Sequence, residues 1–301
     1  MRIAHFSDLH LCSNFKKSNR NKIKEVLDHA LENGAQHFVF TGDITDNAEE
    51  REFVYFRELL QSYNLLSSDK STVIIGNHDI FGGPQTAQDV ANFPFKCLNI
   101  NYQERVSKFV SYFRELFENT IHPHEEIYFP FAKELKSVVL VGLNSIDEYS
   151  PFKNPFASNG KIGKIQRRIV ENLLLLPKFK DKLKIVLVHH HFYHKSDISK
   201  SSESSLWSKI ESFTMKLRGK KKLINLFEAN DVSIVLHGHS HEMCEYFRKK
   251  IRFVNAGASM EGNEPSYFLI DAFPFDVSVS LQKFSVAKEK FAEAEIASIA
   301  V

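Results

Sequence analysis

Short apolar runs that end on polar, metal-capable residues recur along the chain and constrain its fold more than any other feature. Residues 2–7, 38–40 and 73–75 read as strands. Between them, Ile23, Val26, Leu27, Ala30 and Leu31 recur at helical spacing, as do Phe53, Phe56, Leu59 and Leu60. Such alternation predicts βα units with parallel strands. The strand pattern resumes at 138–143 and 185–188, separated by a helix over 165–176 that Pro177 helps to stop. A strand at 232–236, a hairpin from 244–247 and 251–255, and late strands at 267–272 and 277–284 complete the pattern. The sum is an α/β chain, richer in strands toward its end, that fits two facing sheets with helices outside.

Three segments stand apart. Residues 81–126 carry Phe93, Phe95, Tyr102, Phe109, Tyr112, Phe113 and Phe117, and read as a partly helical insertion over the sheet edge. It is either the apolar face of helices packing on the main body or a substrate-binding cap. In 195–222, Trp207, Ile210, Phe213 and Leu217 fall at helical spacing, followed by Arg218, Lys220, Lys221 and Lys222. That segment reads either as a solvated helix with a basic end or as a lid touching anionic lipid or substrate. The tail at 286–301 is rich in Ala and Glu and reads as helical or frayed. The expected organisation is one domain over 1–285 plus that tail.

Composition narrows the function classes. With 43% apolar and 25% charged residues among 301, the chain can bury a sizeable core. A formal charge of +2 gives no strong nucleic-acid signal. Cys12, Cys97 and Cys244 form no C-x-x-C pair and no disulfide framework, and Cys12 reads as a small core residue. No basic-then-apolar leader opens the sequence, and no run of about 18 apolar residues could span a bilayer. The expectation is a cytoplasmic protein.

The chemistry sits at the strand ends. Asp8 and His10 follow the first run, Asp43 the second, Asn77 and His78 the third. His189 follows 185–188, and His239 and His241 follow 232–236. In open α/β sheets, the carboxyl ends of strands are where ligands bind. Taken singly, these are ordinary turn residues and surface histidines; five strand ends delivering them to one rim point to a metal site. Two cations about 3.5–4 Å apart need an anionic bridge to offset their repulsion. Asp43, placed after Gly42 where the backbone can turn tightly, suits that role. Carboxylate, amide and imidazole together suit Mn, Fe or Zn, whereas a Ca site would be all oxygen.

Asp8-x-His10, Gly42-Asp43, Gly76-Asn77-His78-Asp79, His189 and Gly238-His239-Ser240-His241 resemble, in order and strand context, the five motifs of the calcineurin-like metallophosphoesterases. The resemblance runs from residue 1 to about 257 and is nearest to the bacterial branch that includes class III cyclic-nucleotide phosphodiesterases. It implies a two-sheet sandwich between helices. It places Asp8, His10, Asp43 and His241 on one metal, and Asp43, Asn77, His189 and His239 on the other. His78 would stabilise or protonate the departing oxygen as a metal-activated hydroxide attacks phosphorus in line. Asp79 would orient His78, or else serve the turn. The run His189-His190-His191-Phe192 departs from relatives that have Pro soon after this histidine, so His190 and His191 are alternative ligands. His237 occupies a place where a small residue is common.

The function this implies is binuclear hydrolysis of a small-molecule phosphodiester such as cyclic AMP. Other readings are hydrolysis of a nucleotide-lipid pyrophosphate of the UDP-diacylglucosamine type, a DNA nuclease, and a non-catalytic scaffold. The scaffold reading expects eroded ligands.

Overall fold

The computed structural model describes residues 1–12, 17–84, 86–123, 127–192, 215–260, 264–273 and 276–284. Strands and helices alternate through the first third. They are β1 (Arg2–Phe6), α1 (Lys17–Glu32), β2 (His37–Phe40), α2 (Glu50–Ser62) and β3 (Ser71–Val73). α2 starts on a capping box in which Glu49 and Glu52 satisfy each other's backbone amides. A short α3 (His78–Phe81), α4 (Ala87–Leu98) and α5 (Tyr102–Tyr112) follow, then a 3-10 turn at Arg114–Phe117.

Next come β4 (Phe131–Glu134), β5 (Val138–Gly142), the short β6 (Gly160–Lys161), α6 (Lys164–Leu174) and β7 (Leu183–Leu187). The described chain resumes with β8 (Leu217–Arg218), α7 (Lys220–Ala229) and β9 (Val232–His237). β10 (Met243–Arg248), β11 (Ile251–Ala256), β12 (Ser266–Ala272) and β13 (Val277–Lys283) close it.

These strands form a five-stranded sheet in the order β13-β12-β1-β2-β3 and a six-stranded sheet in the order β10-β11-β9-β7-β5-β4. β1, β2 and β3 run parallel, as do β5, β7, β9 and β11, while β4, β10, β12 and β13 join antiparallel. The expected hairpin is the β10–β11 pair. A two-residue pair, β6 with β8, stands alone.

Strand alternation explains the layering. Leu140, Ile185 and Leu236 join Phe6, Phe38 and Phe40 in the core between the sheets. Their neighbours Val139, Val141, Val186 and Val235 point the other way, onto Val170 and Leu173 of α6 and Leu223 and Phe227 of α7. On the first sheet, α1 buries Ile23, Val26, Leu27 and Ala30, and Phe56 of α2 meets Phe40 edge to face at 5.0 Å. The fold is therefore the expected mixed α/β arrangement of two sheets flanked by helices.

The aromatic segment packs on α2 beside β3, the edge strand: Phe109 and Phe113 stand against Phe53 at 6.0 and 6.2 Å. Lys133 of β4 is 1% exposed, and its Nζ donates to the carbonyls of Ser71 and Leu116, both at 2.7 Å. It thereby ties the second sheet to β3 and the 3-10 turn.

Two expectations are corrected in the described part of 195–222. Leu217 is buried in strand β8 rather than on a helix face, and Lys220, Lys221 and Lys222 open the following helix after the left-handed Gly219. Trp207, Ile210 and Phe213 lie outside the described residues, as does the tail at 286–301. Cys12, Cys97 and Cys244 are free thiols, and Cys12 is buried, taking a hydrogen bond from Asn47 Nδ2. Among the described residues, no helix is long and apolar enough to cross a membrane.

Candidate metal centre

Parallel pairing brings the C-terminal ends of β1, β2, β3, β7 and β9 to one rim, and the seven expected ligands leave the sheets there. The backbone bends sharply to aim them. Asp8, His10, Asp43, His239 and His241 all have positive φ, at 52°, 45°, 50°, 76° and 56°. Each such non-glycine conformation costs about 1–3 kcal/mol and persists where the surroundings enforce it. Asp and His tolerate it better than most residues. Gly42, at φ 94°, lies so close to its neighbours that a Cβ would sit 2.7 Å from His189 Nδ1. A Cβ at Gly76 would strike the Asp43 amide and carboxylate. Both glycines let the β2 and β3 turns close on each other.

The side chains gather into two clusters. Asp43, His189 and His239 form one, all buried; Asp8, His10 and His241 form the other, with His241 half exposed. In the first, His189 Nε2 lies 3.1 Å from Asn77 Oδ1, 3.1 Å from His239 Nδ1 and 3.3 Å from Asp43 Oδ2. In the second, His10 Nε2 lies 3.1 Å from His241 Nε2, which is 3.9 Å from Asp8 Oδ1. Asp8 Oδ2 accepts from the His239 amide at 2.9 Å, and Asp43 Oδ1 accepts from the His78 amide at 2.7 Å. The first of these bonds joins the two clusters, and the second ties Asp43 to the start of α3.

Hydrogen bonds fix the orientation of the rings in the first cluster. His189 Nδ1 must donate to the Thr41 carbonyl at 2.8 Å, and His239 Nε2 to the Ser158 carbonyl at 3.0 Å, because a carbonyl only accepts. In neutral rings the facing atoms, His189 Nε2 and His239 Nδ1, are then both lone pairs, 3.1 Å apart and beside a carboxylate. Such a group of acceptors repels itself unless an electropositive species sits among them. Burial opposes charge on His189, but the Asp43 carboxylate outweighs it and lifts the imidazole to about 9. Burial and the neighbouring histidines push His239 well down, so it stays neutral.

Asp43 itself is held well below the carboxylate range: burial works against its charge, and His189, His78 and His10 overcome it. In the other cluster, Asp8 Oδ1 is buried without a hydrogen bond among the described residues. Two clusters of imidazole, carboxylate and amide oxygen fit divalent cations, which would take the place of the His189 proton.

The remaining predicted residues also find their places. His78 stands at the start of α3, partly exposed, its ring edge-on to His10 at 4.6 Å. Asp79 does not touch it. Its oxygens accept from the Thr45 amide and hydroxyl and from the Gly76 amide, so it holds the β2 and β3 turns together. Burial and the Asp43 charge raise Asp79 to about 7.

The carboxylate beside His78 is Asp46, which the sequence reading passed over. Its Oδ1 lies 3.2 Å from His10 Nδ1 and 3.4 Å from His78 Nδ1, and its carbonyl accepts from His78 Nδ1 at 3.0 Å. Burial resists charge on Asp46, but its hydrogen bonds to His10 and His78 hold it far below the usual range.

His190 packs its ring on His239 at 4.2 Å but turns its nitrogens away: Nδ1 meets Ser145 Oγ at 2.7 Å and Nε2 donates to Ser158 O at 3.2 Å. His237 is buried against the Tyr246 hydroxyl, 2.9 Å away, and joins neither cluster.

Comparison with known proteins agrees with this geometry. The chain belongs to the calcineurin-like phosphoesterase family, whose model matches residues 1–243. It is a metal-dependent phosphoric ester hydrolase. No curated protein sequence matches it significantly.

Among solved structures it resembles a dimetal phosphatase from Danio rerio at 9% identity and TM-score 0.63, covering 95% of this chain and 98% of that one. It also resembles a purple acid phosphatase from yellow lupin seeds, at 15% identity and TM-score 0.58, covering 94% of this chain and 51% of that one. A third likeness is the GAP50 anchor of the Plasmodium inner membrane complex, at 11% identity and TM-score 0.51, covering 96% and 90%. At these identities, the likenesses concern the fold.

Proposed function

We propose that the chain hydrolyses a small-molecule phosphodiester, with cyclic nucleotides such as cyclic AMP as the leading class. Two divalent cations, Mn, Fe or Zn, would be held by Asp8, His10, Asp43 and His241 on one side and by Asp43, Asn77, His189 and His239 on the other. The observation that carries this reading is the convergence of Asn77 Oδ1, His239 Nδ1 and Asp43 Oδ2 within 3.3 Å of His189 Nε2, a buried donor set of the kind that holds a divalent ion. When bound, such ions polarise phosphoryl oxygens and lower the pKa of water.

The chain's own residues supply the rest. Asp46 fixes His78 through Nδ1, which leaves Nε2 to act on the substrate. Burial opposes charge on His78, but the Asp43 carboxylate and the Asp46 hydrogen bond raise it to about 9. A positively charged ring there can donate its Nε2 proton to the departing oxygen. Asp79 preserves the spacing between the Asp43 and Asn77 turns.

The full set of candidate ligands, gathered at one rim, favours an enzyme over a scaffold. Peripheral membrane contact through 195–222 is a separate proposal, and liposome flotation of the full chain tests it. The substrate reading is tested by a panel of phosphoesters with protein reconstituted in Mn, Fe or Zn. Diesters, cyclic AMP among them, are expected to give the highest kcat/KM. No diester turnover with Mn, alongside cleavage of monoesters or pyrophosphates, sinks it.

A further inference from the structure

Between α5 and the segment after β5 lies a cleft of about 670 Å³ whose lining takes no part in the chemistry described above. Its size falls within the range of ligand sites, roughly 300–1,000 Å³. One wall is the N-terminal turn of α5, and the other is the segment after β5, residues 144–150, with Lys153, Lys161 and Arg218.

Each wall touches an element next to the site. The segment after β5 has two faces. One sends Ser145 Oγ to His190 Nδ1 at 2.7 Å, and His190 Nε2 in turn donates to the Ser158 carbonyl that also accepts from His239 Nε2. The other lines the cleft with Ile146, Asp147 and Tyr149. On the opposite wall, Tyr102 of α5 faces Phe81 of α3, the helix that begins with His78, at 6.4 Å between rings. The two walls are clamped at the base. Asn144 Nδ2 donates to the Tyr102 hydroxyl at 2.9 Å, and that hydroxyl donates to Ile146 O at 2.9 Å. The cleft is thus built, with one wall against α3, which begins with His78, and the other linked through His190 to the carbonyl that holds His239.

Its chemistry is specific. Tyr102, Tyr128, Phe129 and Tyr149 give it ring surface from both walls. Lys153, Lys161 and Arg218 outnumber Asp147 and Glu148, and Asp147 holds Lys161 and Arg218 at 3.7 and 3.6 Å. Rings with an excess of cations suit a planar aromatic group on an anionic molecule, since bases stack on such side chains whatever their sequence.

We propose that this cleft is the specificity subsite of the enzyme and receives the nucleobase of a nucleoside-bearing phosphodiester whose phosphate lies at the metal rim. This rests on the diesterase reading above and names its substrate class. Tyr128 and Tyr149, partly exposed and outside the Asn144 clamp, are the stacking residues.

The test uses the full-length, metal-loaded protein, its Tyr128→Ala and Tyr149→Ala variants, and two substrates sharing one leaving group: thymidine 5′-p-nitrophenyl phosphate and methyl p-nitrophenyl phosphate. Each variant is expected to lose about tenfold more kcat/KM on the thymidine ester than on the methyl ester, in line with stacking of a base on one ring. Equal losses on both esters, or none on either, overturn the assignment. Saturation-transfer NMR with thymidine, which carries no phosphate, separates this proposal from the diesterase reading. Transfer to the base protons that both variants weaken supports the subsite even if no diester is turned over. Absence of transfer with the wild-type protein overturns the subsite even if diesters are cleaved.

Discussion

Replacing Lys133 by Met should remove a pH dependence of stability that the wild-type protein carries in its core. The amine is 1% exposed, and burial pushes it from its ordinary value near 10.5 down to about 7. Geometry agrees: a neutral amine has two N–H groups, and the two carbonyls of Ser71 and Leu116 accept at 2.7 Å, whereas an ammonium brings a third. Asp69 raises the amine slightly, and His37, pushed to about 3 first by burial and then by Lys133, titrates far below this range.

The unfolded chain binds the proton below about pH 10.5 and the folded chain only below about 7. Stability contributed by the neutral amine is therefore fully present above the unfolded value and lost as pH falls to the folded one. The whole depression is worth about 5 kcal/mol. About 3 kcal/mol of it is recovered between pH 7 and pH 9.5. Urea unfolding of both proteins at those two pH values measures it. The wild type should gain about 3 kcal/mol more on going to pH 9.5 than Lys133→Met does. Loss of a donor to two carbonyls lowers the variant's stability at both pH values, so the difference is the informative quantity. Parallel pH profiles for the two proteins would refute the buried-amine argument.

Asp46→Asn should weaken metal affinity or kcat by about 10–100-fold with KM nearly unchanged, because Asp46 orients both His10 and His78; metal titration and steady-state kinetics read both, and changes within twofold count against that role. His189→Ala should lose bound metal, whereas His190→Ala should keep the wild-type metal content, since both His190 nitrogens already face serine oxygens; elemental analysis decides, and a reversed pattern makes His190 the ligand.

Much of the fold could be read in the sequence because strand and helix periods were clean where one face is buried. β2, β5, β7 and β9 are apolar on both faces, as parallel strands between layers must be, and stand out as short runs. β4 was missed because its buried face carries Lys133, whose charge mimics a solvent position. β6 and β8 are two residues long and leave no period to detect. Leu217 mimics a helix position because its spacing from Phe213 matches, while Gly219 already marks the break before the next helix.

The rim residues were legible as a set, because each follows a strand end. Their second layer was not. Asp46 is three residues past Asp43 and looks like a turn residue. Only the left-handed bend at Asp43 and the pairing of Leu11 with Thr45 carry it under His10. Asp79 adjoins His78 in sequence, yet the helical start of α3 sends its carboxylate to Thr45 and Gly76 instead. His5 gave no signal at all; its Nε2 meets Thr41 Oγ1 at 2.9 Å, on the residue whose carbonyl fixes His189.

The central claim is that Asp43 joins two cation sites into one catalytic centre. Elemental analysis of the reconstituted wild type and Asp43→Ala, paired with turnover of bis(p-nitrophenyl) phosphate, tests it most directly. The account predicts about two divalent ions per wild-type chain, with metal content and turnover both collapsing in Asp43→Ala while the fold, followed by circular dichroism, persists. A folded Asp43→Ala protein that keeps its metal and its activity would contradict it.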